Sequence, residues 1–377
     1  MDFGLSEEQE LLQHSAHEFL ARECPPAFVR TVAGDEEGFP RTLYRQMAEL
    51  GWMGLVVPEA YGGAGLALID LALLMEELGR AVVPGPFFSS AVLATVALVH
   101  GGSAAQKKAW LPRLAAGEAL ATVALLEEGD RLDAAGIKAR ARKARGAYRL
   151  SGRKMFVTDA HVADVVIAAF RTSGKDAEGV TLFLVPRDTP GVVVKPLQSV
   201  DLTRRPMEVE FRDVEVPATA VLGSEGKGWR PLAKMIDAAA VCLSADSLGG
   251  AQKALEMAVE YSKVREQFGR PIGSFQAVKH MAAEMVSEIE PARSLVWYAA
   301  YAYDALPREA SKAASMAKAC LSDLYSRTAN RAVQIHGGIG FTWEHDMHFW
   351  FKRAKWNEVA FGDAAYHRER LAALAKF

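Results

Sequence analysis

The spacing of apolar residues divides the chain into three parts. In residues 6–116 apolar positions recur at intervals of three and four, most clearly over 66–78 and 91–99, which predicts amphipathic helices. Residues 120–221 instead contain short runs rich in Val, Thr and Phe, separated by Gly, Pro and Asp, and this pattern predicts strands. Long helical patterns return from residue 226 onward. We therefore expect a helical part, a β part and a second helical part, in that order.

The same pattern gives approximate element boundaries. Ser6 and Gln9 have the spacing of a capping box, which predicts that the first helix begins there. The predicted fold class is α+β and multi-domain, with an N-terminal all-α domain (1–118), a middle antiparallel β-sheet or barrel (119–222) and a C-terminal four-helix bundle (223–377). The predicted strands cover 155–158, 164–170, 180–185, 191–194 and 207–211, and the predicted C-terminal helices cover 231–264, 274–306, 310–335 and a segment after Gly362.

Composition is that of a large enzyme with small-molecule or protein partners. The chain has 377 residues, half of them hydrophobic, so it can bury more than one core. Its net charge of −2 gives no general attraction to nucleic acid or to an anionic membrane, and neither is a predicted partner. Cys24, Cys242 and Cys320 are far apart and form no Cys-x-x-Cys motif, which favours reduced thiols in a reducing compartment.

The N-terminal segment carries no targeting signal that we can identify. Residues 1–9 contain no basic region followed by an apolar stretch, and no arginine-rich transit character. We expect a cytoplasmic protein without a membrane span.

The segment 261–276 has the most distinctive chemistry. It is predicted to be the end of a long amphipathic helix, at which Arg265, Gln267 and Phe268 precede a Gly-Arg-Pro turn. The forked guanidinium of an arginine suits phosphate oxygens, and Gln276 can donate to a phosphate or a ribose. A planar cation, an amide and a ring presented together are therefore suited to a diphosphate with its attached sugar.

A second segment, 334–342, follows later in the chain with the sequence Gln-Ile-His-Gly-Gly-Ile-Gly-Phe-Thr. Gln334 offers another amide donor, and the adjacent Gly337 and Gly338 allow a ligand to approach the backbone closely. In this order, the two segments resemble the flavin-binding signature of the acyl-CoA dehydrogenase family. The succession of a helical domain, a β domain and a helical bundle is also that family's architecture, so the resemblance covers essentially the whole chain.

The resemblance implies FAD as cofactor and an acyl-CoA thioester as substrate. In the family, a carboxylate removes the α-proton while the β-hydrogen leaves as hydride to the flavin, and an electron-transfer flavoprotein is the expected acceptor. The run Phe156-Val157-Thr158 corresponds to the strand that lies against the isoalloxazine, with Thr158 as a donor to its polar edge. Without the resemblance, such a run would be an ordinary strand.

The chain departs from the family at the positions of the general base. The usual Glu precedes a Gly-Thr pair after the last long helix, and the corresponding residue here is Phe361. A minority of the family carries the Glu on the helix before the flavin segment, at a position that aligns with Ala239. The middle domain also reads Leu-Leu-Glu-Glu-Gly-Asp over 125–130, where the family has a Gly-Ser-Asp turn. We therefore expect an altered substrate pocket.

Two carboxylates are candidate replacements for the base. Asp246 lies seven residues after Ala239 and shares its helix face, about two turns or roughly 10 Å away. The alternative for Asp246 is a buried, hydrogen-bonded polar residue, since buried carboxylates require partners. Asp363 follows the replaced Glu closely, and its alternative role is to cap the final helix.

Two charged segments have more ordinary explanations. The cluster of acidic residues and histidines at 344–348 is too contiguous for all its side chains to share one face, so we predict no metal site there. A role at the flavin edge or at a subunit contact is the alternative. Arg140 and Arg142 alternate with apolar residues as on the exposed face of a strand, although they could also steer the phosphates of coenzyme A.

Three functional hypotheses follow from the resemblance. The first is an FAD-dependent acyl-CoA dehydrogenase that is either a homomer with an unusual base, such as Asp246, or a base-lacking subunit of a heteromer. The second is a related flavin oxidase or monooxygenase. The third is a non-catalytic subunit that stabilises a catalytic partner. In the family the flavin lies between subunits, so a homo- or hetero-oligomer, a dimer or a tetramer, is expected.

Overall fold

A computed structural model of the chain describes residues 4–174 and 176–376. The first three residues of the N-terminal segment, on which the cytoplasmic prediction partly rests, lie outside this range. Within it, no helix combines the length and apolar character needed to cross a lipid bilayer.

The N-terminal part is helical, as predicted. Ser6 begins α1 with the expected capping box: its hydroxyl accepts from the backbone N–H of Gln9, whose side chain accepts in return from the Ser6 N–H. A π-helical segment, Phe88–Ala94, precedes α5. The helices are α1 (Glu7–Glu23), α2 (Pro26–Ala33), α3 (Arg41–Glu49), α4 (Leu68–Arg80), α5 (Thr95–Gly101) and α6 (Ala104–Ala115).

The middle part is a seven-stranded sheet with its own buried core. Its hydrogen-bonded order is β1-β4-β2-β3-β7-β6, and β5 pairs with the other edge of β4. The strands are β1 (Ala121–Ala124), β2 (Arg140–Ala144), β3 (Ala147–Thr158), β4 (Val165–Arg171), β5 (Val180–Pro186), β6 (Val192–Pro196) and β7 (Pro206–Pro217).

The prediction of an antiparallel sheet needs one correction. Strand β4 runs parallel to β1 over four residue pairs and meets β2 in a single parallel pairing, Arg140 with Arg171. The remaining pairs are antiparallel. The segment with alternating charges forms β2, with Ala141 buried and its arginine neighbours exposed. Steering of coenzyme A phosphates by those arginines stays a prediction.

The C-terminal part contains five helices within the described residues. The predicted long helices are present, and the structure adds α10, which the sequence pattern did not indicate. Two short strands form a hairpin between α7 and α8. The elements are α7 (Trp229–Val264), β8 (Glu266–Gln267), β9 (Arg270–Pro271), α8 (Gln276–Ala305), α9 (Ala310–His336), α10 (Met347–Val359) and α11 (Ala364–Ala375).

The N-terminal and C-terminal helices share one hydrophobic core. Helix α4 crosses α7 at a point where glycines allow the two backbones to touch. A Cβ added to Gly249 would lie 1.8 Å from the carbonyl oxygen of Glu76, and one added to Gly79 would lie 2.1 Å from that of Asp246. This close approach packs the middle of α7 against the last turns of α4.

We expect Gly249→Ala to destabilise the protein by about 2 kcal/mol or more, because the new methyl group meets rigid backbone. The higher helix propensity of Ala recovers only about 1 kcal/mol of that loss. Gly34→Ala, whose Cβ would lie 3.5 Å from its nearest neighbour at the end of α2, serves as the control. The measurement is the free energy of unfolding in denaturant. Equal stability of the two variants would contradict the close packing of α4 on α7.

Candidate functional site

A β-bulge in β3 presents Phe156 to the surface of the middle domain. The register between β3 and β7 shifts between Lys154 and Val157, and Phe156 lies in the shift with a left-handed backbone, φ 55°. Bulges break the alternation of side chains and redirect the residue they contain. Consequently the Phe156 ring is 53% exposed, while Thr158, two residues on, is 4% exposed.

Phe156 and Thr158 line a cavity of about 270 Å³ between the β domain and the C-terminal helices. The wall facing the strand comes from α10 and the turn after it, which contribute Trp356 and Phe361. Both of those rings pack edge-on against Phe88. The lining is completed by Leu93, Val123, Leu125, Leu126, Asp130, Met155, Gln198, Ser199, Val200, Asp201, Pro206, Lys355, Val359 and Ala360.

The hydroxyl of Thr158 has no hydrogen-bond partner within the described residues, although its backbone carbonyl accepts from Thr122 Oγ1 at 2.7 Å. It is a polar group at a largely apolar cavity, next to an exposed ring. The Phe156 ring and the Thr158 hydroxyl together suit a planar heteroaromatic ligand that has a polar edge.

A buried lysine holds the turn that carries Phe361 through hydrogen bonds to backbone carbonyls. Lys318 of α9 is 1% exposed, and its Nζ donates to the carbonyl oxygens of Asn357 at 2.8 Å and Gly362 at 2.9 Å. It also donates to Ser322 Oγ at 2.8 Å. Burial lowers the pKa of Lys318 to about 7. Its donated hydrogen bonds hold the turn in place, and when Lys318 is protonated its charge at the carboxyl end of α10 is also favourable to the helix.

Asp246, the sequence-based candidate for the base, lies in a buried ion cluster. Arg353 Nη1 donates to its carboxylate at 2.9 Å, Arg204 Nη2 at 3.2 Å and Asn357 Nδ2 at 2.7 Å. The Asp246 side chain is 0% exposed and does not line the cavity. These contacts argue against Asp246 as a base, because the two guanidinium groups occupy its Oδ2 and the Asn357 amide occupies its Oδ1, so neither oxygen is free.

The other two base positions have no carboxylate to offer. Ala239 is fully buried within α7, and Phe361 places a ring at the cavity. Asp363 caps α11: its side chain accepts from the Tyr366 N–H at 2.7 Å. This is the alternative role that the sequence allowed for Asp363.

The predicted phosphate-binding segment forms a hairpin at the end of α7. Arg265 is the C-cap of the helix, and β8 and β9 are joined by Phe268 and Gly269, whose φ values are 54° and 77°. Positive φ at both central residues is the geometry of a type I′ turn. It makes Phe268 the tip of the hairpin, with 93% of its surface exposed. Gln267 and Gln276 are exposed beside it.

The second glycine-rich segment packs against the same end of α7. His336, the last residue of α9, stacks on Tyr261 with ring centroids 4.6 Å apart. Ile335 shares a groove with Lys263 and Pro271. The exposed Gln334, Gly337 and Gly338 therefore lie on the surface that carries the hairpin.

The predicted cofactor residues thus form two groups. One group, Phe156 and Thr158, lines the cavity, and the other lies around the end of α7. Along that helix about 28 Å separates Asp246 from Arg265, at 1.5 Å per residue. Both groups suit parts of a dinucleotide flavin: a ring and a free hydroxyl for the isoalloxazine, and an arginine with amides for the diphosphate and sugar.

The residues at 344–348 have other partners. Asp346 pairs with Arg30 at 2.5 Å, and His345 accepts from the Met347 N–H at 3.1 Å. His348 stacks on Trp343 with centroids 4.6 Å apart. Over residues 4–174 and 176–376, no group of three or more His, Cys, Asp or Glu side chains could hold a metal ion.

Sequence reasoning missed Arg353, Arg204 and Asp201, which form the buried cluster with Asp246. The signal was present in α10, where Arg353 falls between the apolar Trp350 and Ala354 on one face. A charge within an apolar stripe indicates a buried ion pair. The stripe is not apparent from the sequence, because the pattern over 347–359 does not predict a helix.

Comparison with known proteins identifies the family. The chain matches the N-terminal, middle and C-terminal domains of acyl-CoA dehydrogenases over residues 6–118, 122–214 and 226–375. It is 35% identical over 376 residues to the probable acyl-CoA dehydrogenase YngJ of Bacillus subtilis (strain 168), covering 98% of each chain. The chain therefore belongs to the acyl-CoA dehydrogenase family, oxidoreductases that act on the CH–CH group of acyl-CoA thioesters.

Solved structures agree. The butyryl-CoA dehydrogenase of Megasphaera elsdenii superimposes with a TM-score of 0.92 at 31% identity, covering 100% of both chains. A chain of the ChsE4–ChsE5 complex of Mycobacterium tuberculosis gives 0.90 at 29% identity, also covering 100% of both chains. Family membership implies a flavin cofactor.

We expect Asp246→Ala to destabilise the protein by about 3–5 kcal/mol, because it leaves Arg204 buried without its carboxylate partner and removes one of the two carboxylates that contact Arg353. The change should appear as a thermal unfolding midpoint lowered by roughly 5 °C or more. Asp188→Ala, at an exposed aspartate between β5 and β6, is the control. If Asp246→Ala were as stable as the wild type but lost its acyl-CoA chemistry, Asp246 would again be a candidate base.

Proposed function

We propose that this chain is an FAD-dependent acyl-CoA dehydrogenase that converts an acyl-CoA thioester to its 2,3-enoyl form. The observation that carries the proposal is the cavity between β3 and α10, in which the exposed Phe156 ring and the free Thr158 hydroxyl face an apolar wall. The ring and hydroxyl suit the isoalloxazine, and the apolar wall suits an acyl chain. When bound, the flavin accepts the hydride that leaves the β-carbon.

The residues at the end of α7 would hold the rest of the cofactor. Arg265, Gln267 and Gln276 are exposed and carry the donors that a diphosphate and a ribose require. Arg265 lies about 28 Å along α7 from Asp246 at 1.5 Å per residue, and Arg353 joins Asp246 to the cavity-lining Asp201. This separation supports their use by a flavin bound between two chains. Gln334, Gly337 and Gly338 lie on the same surface and would contribute to that site. The functional unit is accordingly an oligomer, and an electron-transfer flavoprotein would reoxidise it.

A second candidate is a base-lacking subunit of a heteromeric acyl-CoA dehydrogenase. Phe361 and Ala239 occupy both positions at which the family carries its glutamate. The similar chain from Mycobacterium tuberculosis is part of a complex of two different proteins, ChsE4 and ChsE5. Under this proposal a partner chain supplies the carboxylate, and this chain contributes the flavin segments and part of the cavity.

The test is to purify the chain alone, record its visible absorption spectrum and add a panel of acyl-CoAs without oxygen. A flavin band that any thioester bleaches supports a self-sufficient dehydrogenase. A flavin band that no thioester bleaches supports the heteromeric subunit, and adding the partner should then restore bleaching. A chain that neither binds flavin nor acts on acyl-CoA in any combination of subunits would contradict both proposals.

We expect Arg265→Ala to lower the flavin content of the purified protein at least several-fold, since it removes a charge-assisted contact to the diphosphate. The measurement is the ratio of absorbance at the flavin maximum to that of the protein. Arg308→Ala, which removes another exposed arginine near the start of α9, should keep the wild-type ratio. Full flavin content in Arg265→Ala would count against the assignment of this segment.

A further inference from the structure

Two carboxylates, Asp201 and Asp130, line the cavity within the described residues. Asp201 is 1% exposed and fully engaged: it accepts from Arg353 Nε at 2.7 Å and from the Thr203 N–H at 2.8 Å. Its charge is paired, and both of its oxygens are occupied. Asp201 cannot reach a substrate without breaking the ion cluster.

The carboxylate of Asp130 is different. Over residues 4–174 and 176–376 it has no hydrogen bond and no ion pair, and its backbone N–H donates to the Glu127 carbonyl at 2.9 Å. The other charges of this loop are satisfied, since Arg131 pairs with Asp133, and Glu128 with Arg153 at 3.0 Å. Asp130 is therefore the one unpaired acid of the described cavity lining.

The loop holds Asp130 in a conformation that ordinary residues avoid. Its φ is 46°, in the left-handed region that Asp tolerates better than most side chains. Such backbone occurs at functional sites more often than elsewhere. Asp130 is exposed by surface area, and partial loss of hydration beside the cavity, followed by the nearby charge of Asp363, raises the pKa of its carboxyl above the ordinary value. A carboxylate that is free, lines the cavity and has increased basicity has the properties of a general base.

We propose that Asp130 is the general base that removes the α-proton of the acyl-CoA, in place of the glutamate that Phe361 replaces. This inference rests on the dehydrogenase function proposed above. Asp130 and Phe361 line the same cavity, so a carboxylate lost from the turn after α10 would be restored from the loop after β1. The Phe361 ring would then act as part of the apolar wall.

Loss of a proton and a hydride together accounts for the oxidation of the thioester. The Cα–H bond breaks and its proton passes to a carboxylate oxygen of Asp130, while the electron pair of that bond forms the new Cα=Cβ bond. The Cβ–H bond breaks, and its hydrogen departs with the electron pair as hydride, which a bound flavin would accept. The thioester loses two electrons and two hydrogens. Asp130 ends protonated and returns its proton to solvent.

The experiment isolates proton removal from oxidation. It uses the flavin-loaded protein and an acyl-CoA analogue with sulfur in place of the β-methylene group, which can lose its α-proton but cannot donate a hydride. Exchange of the α-hydrogens with deuterated water is followed by NMR. We expect Asp130→Asn to slow this exchange at least about 100-fold, the usual size of a general-base effect, with flavin content and analogue affinity unchanged.

Glu128→Gln is the matched control, because Glu128 lies in the same loop, carries the same charge and does not line the cavity. It should exchange within about twofold of the wild type. Asp130→Glu keeps a carboxylate and should exchange faster than Asp130→Asn, which separates loss of the base from loss of the fold.

Two results overturn the inference while leaving the proposed function intact. In one, Asp130→Asn exchanges at the wild-type rate. In the other, the wild-type chain binds flavin and analogue but exchanges no α-hydrogen until a partner chain is added, so the base belongs to the partner. A wild-type protein that binds neither flavin nor analogue would overturn the proposed function and this inference with it.

Discussion

The arrangement of the three domains depends on the contacts made by the buried guanidinium of Arg353. Arg353 lies on α10 and is 0% exposed. It contacts Asp246 of α7, Asp201 and Thr203 of the loop between β6 and β7, and the Val83 carbonyl at 3.1 Å in the loop after α4. One side chain thus joins the N-terminal helices, the β domain and the C-terminal helices.

Such a cluster persists only because its charges are mutually paired. An unpaired ion in this interior would cost several kcal/mol, and the attraction between close, well-oriented opposite charges offsets that cost. Arg204 adds a second cation on the same Asp246 carboxylate, and Asn357 a neutral donor. Asp201 lines the cavity, and α10 provides much of its apolar wall. The cavity therefore owes its shape to an ion cluster whose carboxylates are not free to react.

Unusual backbone conformations place the aromatic side chains of the candidate flavin site. Phe156 lies in a bulge and Phe268 in a type I′ turn, both with positive φ. Each ring is displayed where burial would otherwise be favoured, at 53% and 93% exposure. A left-handed backbone is strained for bulky residues, and an exposed aromatic ring is unfavourable in water. A ligand or a second chain that covers Phe156 and Phe268 would offset these costs.

Much of this organisation can be predicted from the sequence, and the exceptions have physical reasons. Helices such as α7 and α9 are long and strongly periodic, and Ser6 with Gln9 marks a helix start through local hydrogen bonds. The parallel pairing of β1 with β4 is a long-range choice that periodicity does not encode. Asp246 appeared to be a candidate base because only its own helix was considered, whereas its partners come from α10 and the β6–β7 loop. The altered segment 125–130 marks a changed substrate pocket, but the sequence does not single out Asp130 within it, because only the fold shows which of its acidic side chains lacks a partner and lines the cavity.

The most direct measurement is a crystal structure of the flavin-loaded protein with the sulfur-containing acyl-CoA analogue. We expect the isoalloxazine against Phe156 and Thr158, the diphosphate at an Arg265 side chain, and the Asp130 carboxylate within about 3.2 Å of the α-carbon or one water away. A flavin bound elsewhere would contradict the proposed site. An Asp130 carboxylate turned to solvent, with a carboxylate of another chain at the α-carbon, would contradict Asp130 as the base.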